Sequence, residues 1–282
     1  LPSIPYSMIT AIVFIGAYFF SNKKYQNNNF STIPLKKWIL LIILCYAVVN
    51  FFAVSSSLHL KAMIDFFKMF IILALAYKVI DSEKKLEYAI LVYLAGCAYI
   101  GYEAFSVGRN SFGRVEGIGT LETPEANGTA AILVPALPFL IYYFWYKNYK
   151  VKMILVIFGA FIVNALVLLN SRGAFIGAFV GSFLFMWSMT VSKLRSEHQN
   201  KALLLFIVGG FIALSLVIDQ SFIDRISTLS DVEDQDKSGS HRVFFWFIAF
   251  QQSFEYPFGV GAYGFEILSP GYVPESYMRN SS

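Results

Sequence analysis

The sequence predicts an all-α, polytopic transmembrane helix bundle, and three observations predict it. Of its 282 residues 57% are hydrophobic and only 14% charged, with a mean hydropathy of +0.59, whereas soluble domains carry about a quarter charged residues. The apolar residues gather in runs such as WILLIILCYAVV and LLLFIVGGFIALSLVI that are apolar on every face. A hydrocarbon core about 30 Å thick takes about 20 such residues per helix; a membrane barrel would instead show segments of about 10 residues with strict alternation. The third observation is that Lys and Arg collect in alternate connections between the runs, as residues retained on the cytoplasmic side do.

In chain order the expected spans are 6–20, 38–54, 62–80, 86–105, 127–146, 151–169, 173–191 and 201–219, eight in all. Lys23, Lys24, Lys36 and Lys37 mark the first connection as internal. Lys84 and Lys85, then Lys147, Lys150 and Lys152, then Lys193, Arg195 and Lys201 mark the third, fifth and seventh. The connections at 55–61, 106–126 and 170–172 then face outside, with everything after 219. This places residue 1 outside. The chain begins with Leu1 and stops in a loop at Ser282, so it is expected to be a fragment lacking at least one earlier span and a later portion. No basic n-region precedes Tyr6 and no small-residue cleavage site follows it, so the first run is a span and not a signal peptide. The expected organisation is amino-terminal spans over 1–126, central spans over 127–219, and over 220–282 the start of a large external loop carrying an amphipathic interfacial helix.

Several function classes drop out. Cys45 and Cys97 fall near the middles of spans, where each acts as a small buried hydrophobe. The net charge of +4 belongs to the cytoplasmic anchors, and no basic stripe interleaves with exposed aromatics, so nucleic acid is not an expected partner. There is no tandem repeat, Walker loop, zinc-protease motif or Gly-x-Ser-x-Gly elbow. His59, His198 and His241 are too scattered to suggest a metal site. The acidic run Asp231, Glu233, Asp234 and Asp236 reads as a solvated loop.

The stretch LLNSRGAF, at 168–175, puts an arginine in the middle of an apolar run. Asn170, Ser171 and Gly173 are turn and cap residues that divide the run into two helices, with Arg172 at the hinge. A guanidinium beside free N–H groups at a helix start makes a phosphate site; an arginine snorkelling to the interface is the alternative. Lys61, Asp65 and Lys68 share one face of the third span, as an intrahelical ion pair or as the lining of a polar path.

After the last span, SGSHRVFFWFIAFQQSFEYPFGVGAYGF has its own organisation. Ser240 is expected to cap a helix over 241–256 whose aromatics, including Phe244, Phe245, Trp246 and Phe247, place it at the membrane interface. Pro257 ends that helix. Gly259, Gly261 and Gly264 then form a turn, either a plain re-entry loop or one whose backbone approaches a ligand or another helix.

Taken in order, NSRGAF at the outer mouth of a span, Arg242 and Trp246 in Arg-x-x-x-Trp spacing, and YPFGVGAYGF resemble the O-antigen ligase and O-antigen polymerase family. TPEANGTAAILVPALPF is similar to that family's Pro-Asn-x-x-Ala start of a central span, with Glu125 and Ala126 intervening between Pro124 and Asn127. The resemblance covers 117–265. It implies a membrane glycosyltransferase that takes a glycan from an undecaprenyl-diphosphate donor and joins it to a sugar hydroxyl outside the cytoplasmic membrane. The acceptor is a lipid-anchored core sugar or another carrier-linked repeat, according to whether the enzyme is a ligase or a polymerase. Arg172 and Arg242 match the family's diphosphate-binding arginines, with Arg225 a third candidate; Ser171, Gly173, Trp246, Gly259 and Gly261 would support them. No metal or other cofactor is implied, so stabilisation of the leaving diphosphate falls to arginine, whose planar fork holds phosphate oxygens bidentately. The family's general base is a histidine usually followed by asparagine, beyond the glycine turn. No histidine follows Gly259, so the base is expected beyond Ser282, and His241 is read as structural. The competing class is a transporter or channel for a surface-polysaccharide intermediate. It fits less well, because transporter sites sit near the midplane between repeated halves.

Overall fold

The computed structural model describes residues 6–20, 28–110, 113–118, 125–192, 200–201, 203–204, 207–208 and 237–272. Among the described residues the molecule is all-helical, 80% helix, with no strand. It divides into two compact units, one built from Leu1–Tyr6 and Ser82–Gln220, the other from Ser7–Asp81 and Ser221–Ser282.

The first unit holds helices α4 (Glu83–Val107), α5 (Ala126–Leu133), α6 (Ala136–Tyr146), α7 (Tyr149–Leu169) and α8 (Arg172–Val191). Glu83–Val107, Ala126–Tyr146, Tyr149–Leu169 and Gly173–Val191 are each long and apolar enough to cross a membrane. They coincide with four of the eight expected spans. The span at Ala126–Tyr146 is interrupted at Val134 and Pro135: proline has no N–H for the helical ladder and its ring crowds the preceding turn, which bends a helix there.

Small residues let these helices approach. A Cβ added at Gly101 of α4 would lie 2.5 Å from the Phe161 carbonyl oxygen of α7, so only glycine permits this crossing. Around it Leu94, Cys97, Ala104, Leu133, Leu140, Ile162, Ala165, Leu166 and Leu169 form one buried cluster. Asn148 caps α7 by accepting the Val151 N–H at 3.1 Å, and Lys147 pairs with Glu87, joining the start of α4 to the end of α6. The connections rich in lysine at 84–85 and 147–152 therefore share one end of this unit. At the opposite end the Val115 N–H donates to the Leu168 carbonyl at 3.1 Å.

The second unit holds α1 (Tyr6–Phe20), α2 (Lys36–Val49), α3 (Ser56–Val79), α9 (Lys237–Glu255) and α10 (Gly264–Leu268). With 15 and 14 residues, α1 and α2 fall short of the about 20 that a crossing takes. Helix α3 has 24 residues but carries Lys61, Asp65, Lys68 and Lys78 along its length. The eighth expected span, 201–219, lies mostly outside the described residues. Lys68 and Asp65 form the intrahelical ion pair, 2.8 Å apart and exposed, while Lys78 is buried and donates to the Asn28 carbonyl.

The connection between α2 and α3 differs from expectation. It was expected at 55–61; it falls at 50–55, where Phe51, Phe52, Ala53 and Val54 leave the helix despite their apolarity. The reason is tertiary: the Val54 N–H donates to the Val260 carbonyl at 3.0 Å, and Phe52 stacks on Phe258 with centroids 4.8 Å apart.

Candidate functional site

At the hinge, α7 ends on fully buried Leu169. Asn170 follows in the left-handed region (φ 49, ψ 43), which asparagine tolerates better than most residues and which commonly closes a helix. Ser171, extended and buried, accepts the Ala174 N–H at 3.4 Å and so caps α8. Arg172 is the first residue of α8, beside the unpaired N–H groups and the positive end of the dipole. Gly173 is exposed, and a Cβ there would meet nothing within 4 Å; its lack of a side chain leaves the approach to the helix start open. The side chain of Arg172 lies outside the described atoms.

Sequence reasoning overlooked a second group of residues at this end of the first unit. Arg109 donates to the Val167 carbonyl at 3.2 Å, and buried Val115 and Ile118 pin the 113–118 segment to the core. Between that segment and the start of α5 lies a cavity of about 470 Å3 lined by Arg114, Glu116, Gly117, Glu125, Ala126 and Asn127, within the range of about 300–1,000 Å3 usual for small-ligand sites. Arg114 and Glu116 stand 3.6 Å apart. Carboxylates that accept, with a guanidinium and an amide that donate, suit a hydroxyl-rich ligand. The sequence signal available was Arg-x-Glu-x-x-x-x-x-x-x-x-Glu-x-Asn flanking the start of a span, which no spacing rule singles out.

In the second unit, α9 starts at Lys237, so Ser240 lies inside the helix and does not cap it. A serine is tolerated in a helix interior, and here the helical turn extends one step earlier. Arg242 and His241 lie on this helix, and their side chains are outside the described atoms. Trp246 is 69% exposed, and Phe247, Phe250 and Phe254 are exposed with it. Ile248 and Gln252, four residues apart, are buried. One stripe of α9 thus packs inward and another presents bare aromatic rings, the pattern of an interfacial helix. The helix stops at Glu255, one residue short of the expected end and just before Pro257.

The glycine turn packs against its own unit. Gly259 and Gly261 have φ of +86 and +80, a region that side chains with a Cβ rarely adopt. A Cβ at Gly261 would lie 2.6 Å from that of Ala53 and 3.2 Å from Nδ1 of His59. His59, set aside as scattered by the sequence, is 2% exposed; its Nδ1 accepts the Ala262 N–H at 2.9 Å. Of the two alternatives for this turn, close approach to another element holds. Beyond it Tyr272 donates to Glu255, closing 256–272 back onto the end of α9. That carboxylate pushes the Tyr272 hydroxyl up to about 12.

Arg172 therefore belongs to the first unit and Arg242, Trp246, Gly259 and Gly261 to the second, while Arg225 lies outside the described residues. Membrane-crossing helices in series, an arginine at a capped helix start and an aromatic surface helix define a multi-pass helical membrane protein. Residues 157–281 match the O-antigen ligase family. No curated protein and no solved structure matches the chain. The matched segment contains the hinge, α8, α9 and the glycine turn. That match supports a membrane role in glycan processing for polysaccharide biosynthesis.

Proposed function

We propose that the protein transfers a glycan from undecaprenyl diphosphate to the hydroxyl of an acceptor sugar on the outer side of the cytoplasmic membrane, as a ligase or polymerase of surface polysaccharide. The observation that carries this reading is Arg172 at the first position of a helix capped by Ser171, inside the family match. As the bond from the anomeric carbon to the carrier breaks, negative charge grows on the diphosphate. The guanidinium of Arg172 and the free N–H groups of α8 hold that charge, with Arg242 and Arg225 as further phosphate ligands. A general base takes the proton of the attacking hydroxyl. The external loop that starts at 220 carries α9, whose aromatic stripe rests on the lipid surface where the carrier is anchored.

Charge and shape at Arg172 test this in the full-length protein. Arg172→Ala removes a charge-assisted contact to the leaving diphosphate and should cost about 2–4 kcal/mol of transition-state stabilisation, roughly 30-fold to several-hundred-fold in rate. Arg172→Lys keeps the charge but loses the fork and should recover only part of that. Glycan transfer in a complemented deletion strain, normalised to protein abundance, is the measurement. Wild-type transfer by Arg172→Ala would leave Arg172 as an interfacial anchor.

A further inference from the structure

The turn at 259–264 lies inside the family match, but the residues that hold it lie far outside, in the α2–α3 region. His59 uses both ring nitrogens. Because Nδ1 accepts the Ala262 N–H at 2.9 Å, the ring proton of a neutral imidazole sits on Nε2, which donates to the Tyr46 carbonyl at 2.9 Å. The ring also stacks on Tyr46, centroids 5.4 Å apart, and Tyr46 stacks on Phe66. One buried side chain thus joins the last turn of α2, the first turn of α3 and the glycine turn. The Val54–Val260 hydrogen bond and the Phe52–Phe258 stack lie beside it, and Gly261 has no space for a Cβ between Ala53 and His59.

Packing alone would not call for histidine here. An apolar ring of similar size would fill the space and stack on Tyr46, yet leave the half-buried Ala262 N–H without its acceptor, which is costly. We propose that His59 is a positioning residue for glycan transfer: neutral and protonated on Nε2, it fixes the register of the 259–264 turn through the Ala262 N–H. This rests on the functional reading above, in which the matched segment carries the transfer site.

Three substitutions in the full-length protein separate hydrogen bonding from packing. His59→Phe keeps the ring and loses both hydrogen bonds. His59→Asn loses the ring but places Oδ1 where Nδ1 stands, whereas His59→Gln places its donor where Nε2 stands. Two readouts are taken: glycan transfer, resolved into kcat and KM, and the rate at which a cysteine introduced at exposed Tyr263, in a Cys45→Ser background, reacts with an impermeant thiol reagent. At equal abundance His59→Phe should lower kcat by about tenfold or more, leave KM nearly unchanged and speed the labelling. His59→Asn should restore both readouts to within about threefold of the parent, and His59→Gln should not. Undiminished kcat in His59→Phe, or His59→Asn no better than His59→Phe, overturns the assignment. Should His59→Phe fail to accumulate, Asn against Gln decides, and equal or reversed transfer overturns it. A parent protein whose transfer is indifferent to Arg172 overturns the functional reading instead, and labelling at 263 still shows whether His59 holds the turn.

Discussion

The hinge at 170–172 and the turn at 259–264 are both sharp changes of direction inside the matched segment, and they are built on opposite principles. Past the end of α7, where Val115 and Arg109 hold the Leu168 and Val167 carbonyls, the hinge is shaped by contacts from within five residues: Asn170 in the left-handed region, Ser171 accepting from Ala174, and the Phe175 N–H donating to the Ser171 carbonyl at 3.0 Å. The turn has local hydrogen bonds of its own, Gly259 to Tyr256 and Gly264 to Gly261, and is held besides from about two hundred residues away, by Ala53, Val54 and His59. Local turn chemistry leaves its partner groups free, so Arg172 stands at an open helix start; long-range turn chemistry uses the backbone groups up in packing. The hinge is thus suited to meet a ligand and the turn to transmit a position.

That contrast sets the order of expected effects. Gly261→Ala should be the most damaging single methyl in the second unit: the left-handed backbone costs about 1–3 kcal/mol and overpacking against Ala53 a further ~1–3 kcal/mol. Thermal unfolding in detergent should show the loss, and equal melting temperatures would mean the turn is not pinned as described. Ser171→Ala should cost about 1 kcal/mol through the lost cap, seen as earlier exchange of amides in the first turn of α8 with the rest of the helix unchanged. A global loss of protection would contradict a locally built hinge. Smallest is Tyr272→Phe, which removes one exposed hydrogen bond to Glu255. Because the folded hydroxyl is raised above its ordinary value of about 10, its contribution is complete below that pH and lost as pH rises through about 12. The phenolate titration of the wild type minus that of the variant should show one transition near the upper value and none near the lower.

The same contrast explains what the sequence made legible. The spans of the first unit agree with expectation at their ends, Ala126–Tyr146 and Gly173–Val191 most closely, because apolar run length and caps such as Asn148 and Ser171 act within a few residues. The hinge was legible for the same reason. The α2–α3 connection was not: FFAV is apolar enough to continue a span, and only its partners at 258–260 draw it out of the helix. His59 carried no signal for the same reason, since its acceptor role depends on Ala262, 203 residues later. The Arg114 cavity was missed because Val115 and Ile118, which anchor it, read as ordinary loop residues.

The family match begins at residue 157, in the middle of α7. The Phe161 carbonyl within it touches Gly101 without it, and Ala262 within it is held by His59 without it. An exchange of 157–281 between two homologues would therefore transplant one half of each contact and leave the other half behind. The matched segment is not one that can be inherited alone: Gly101 with the helix it lies against, and His59 with the turn it holds, are expected to vary together with their partners.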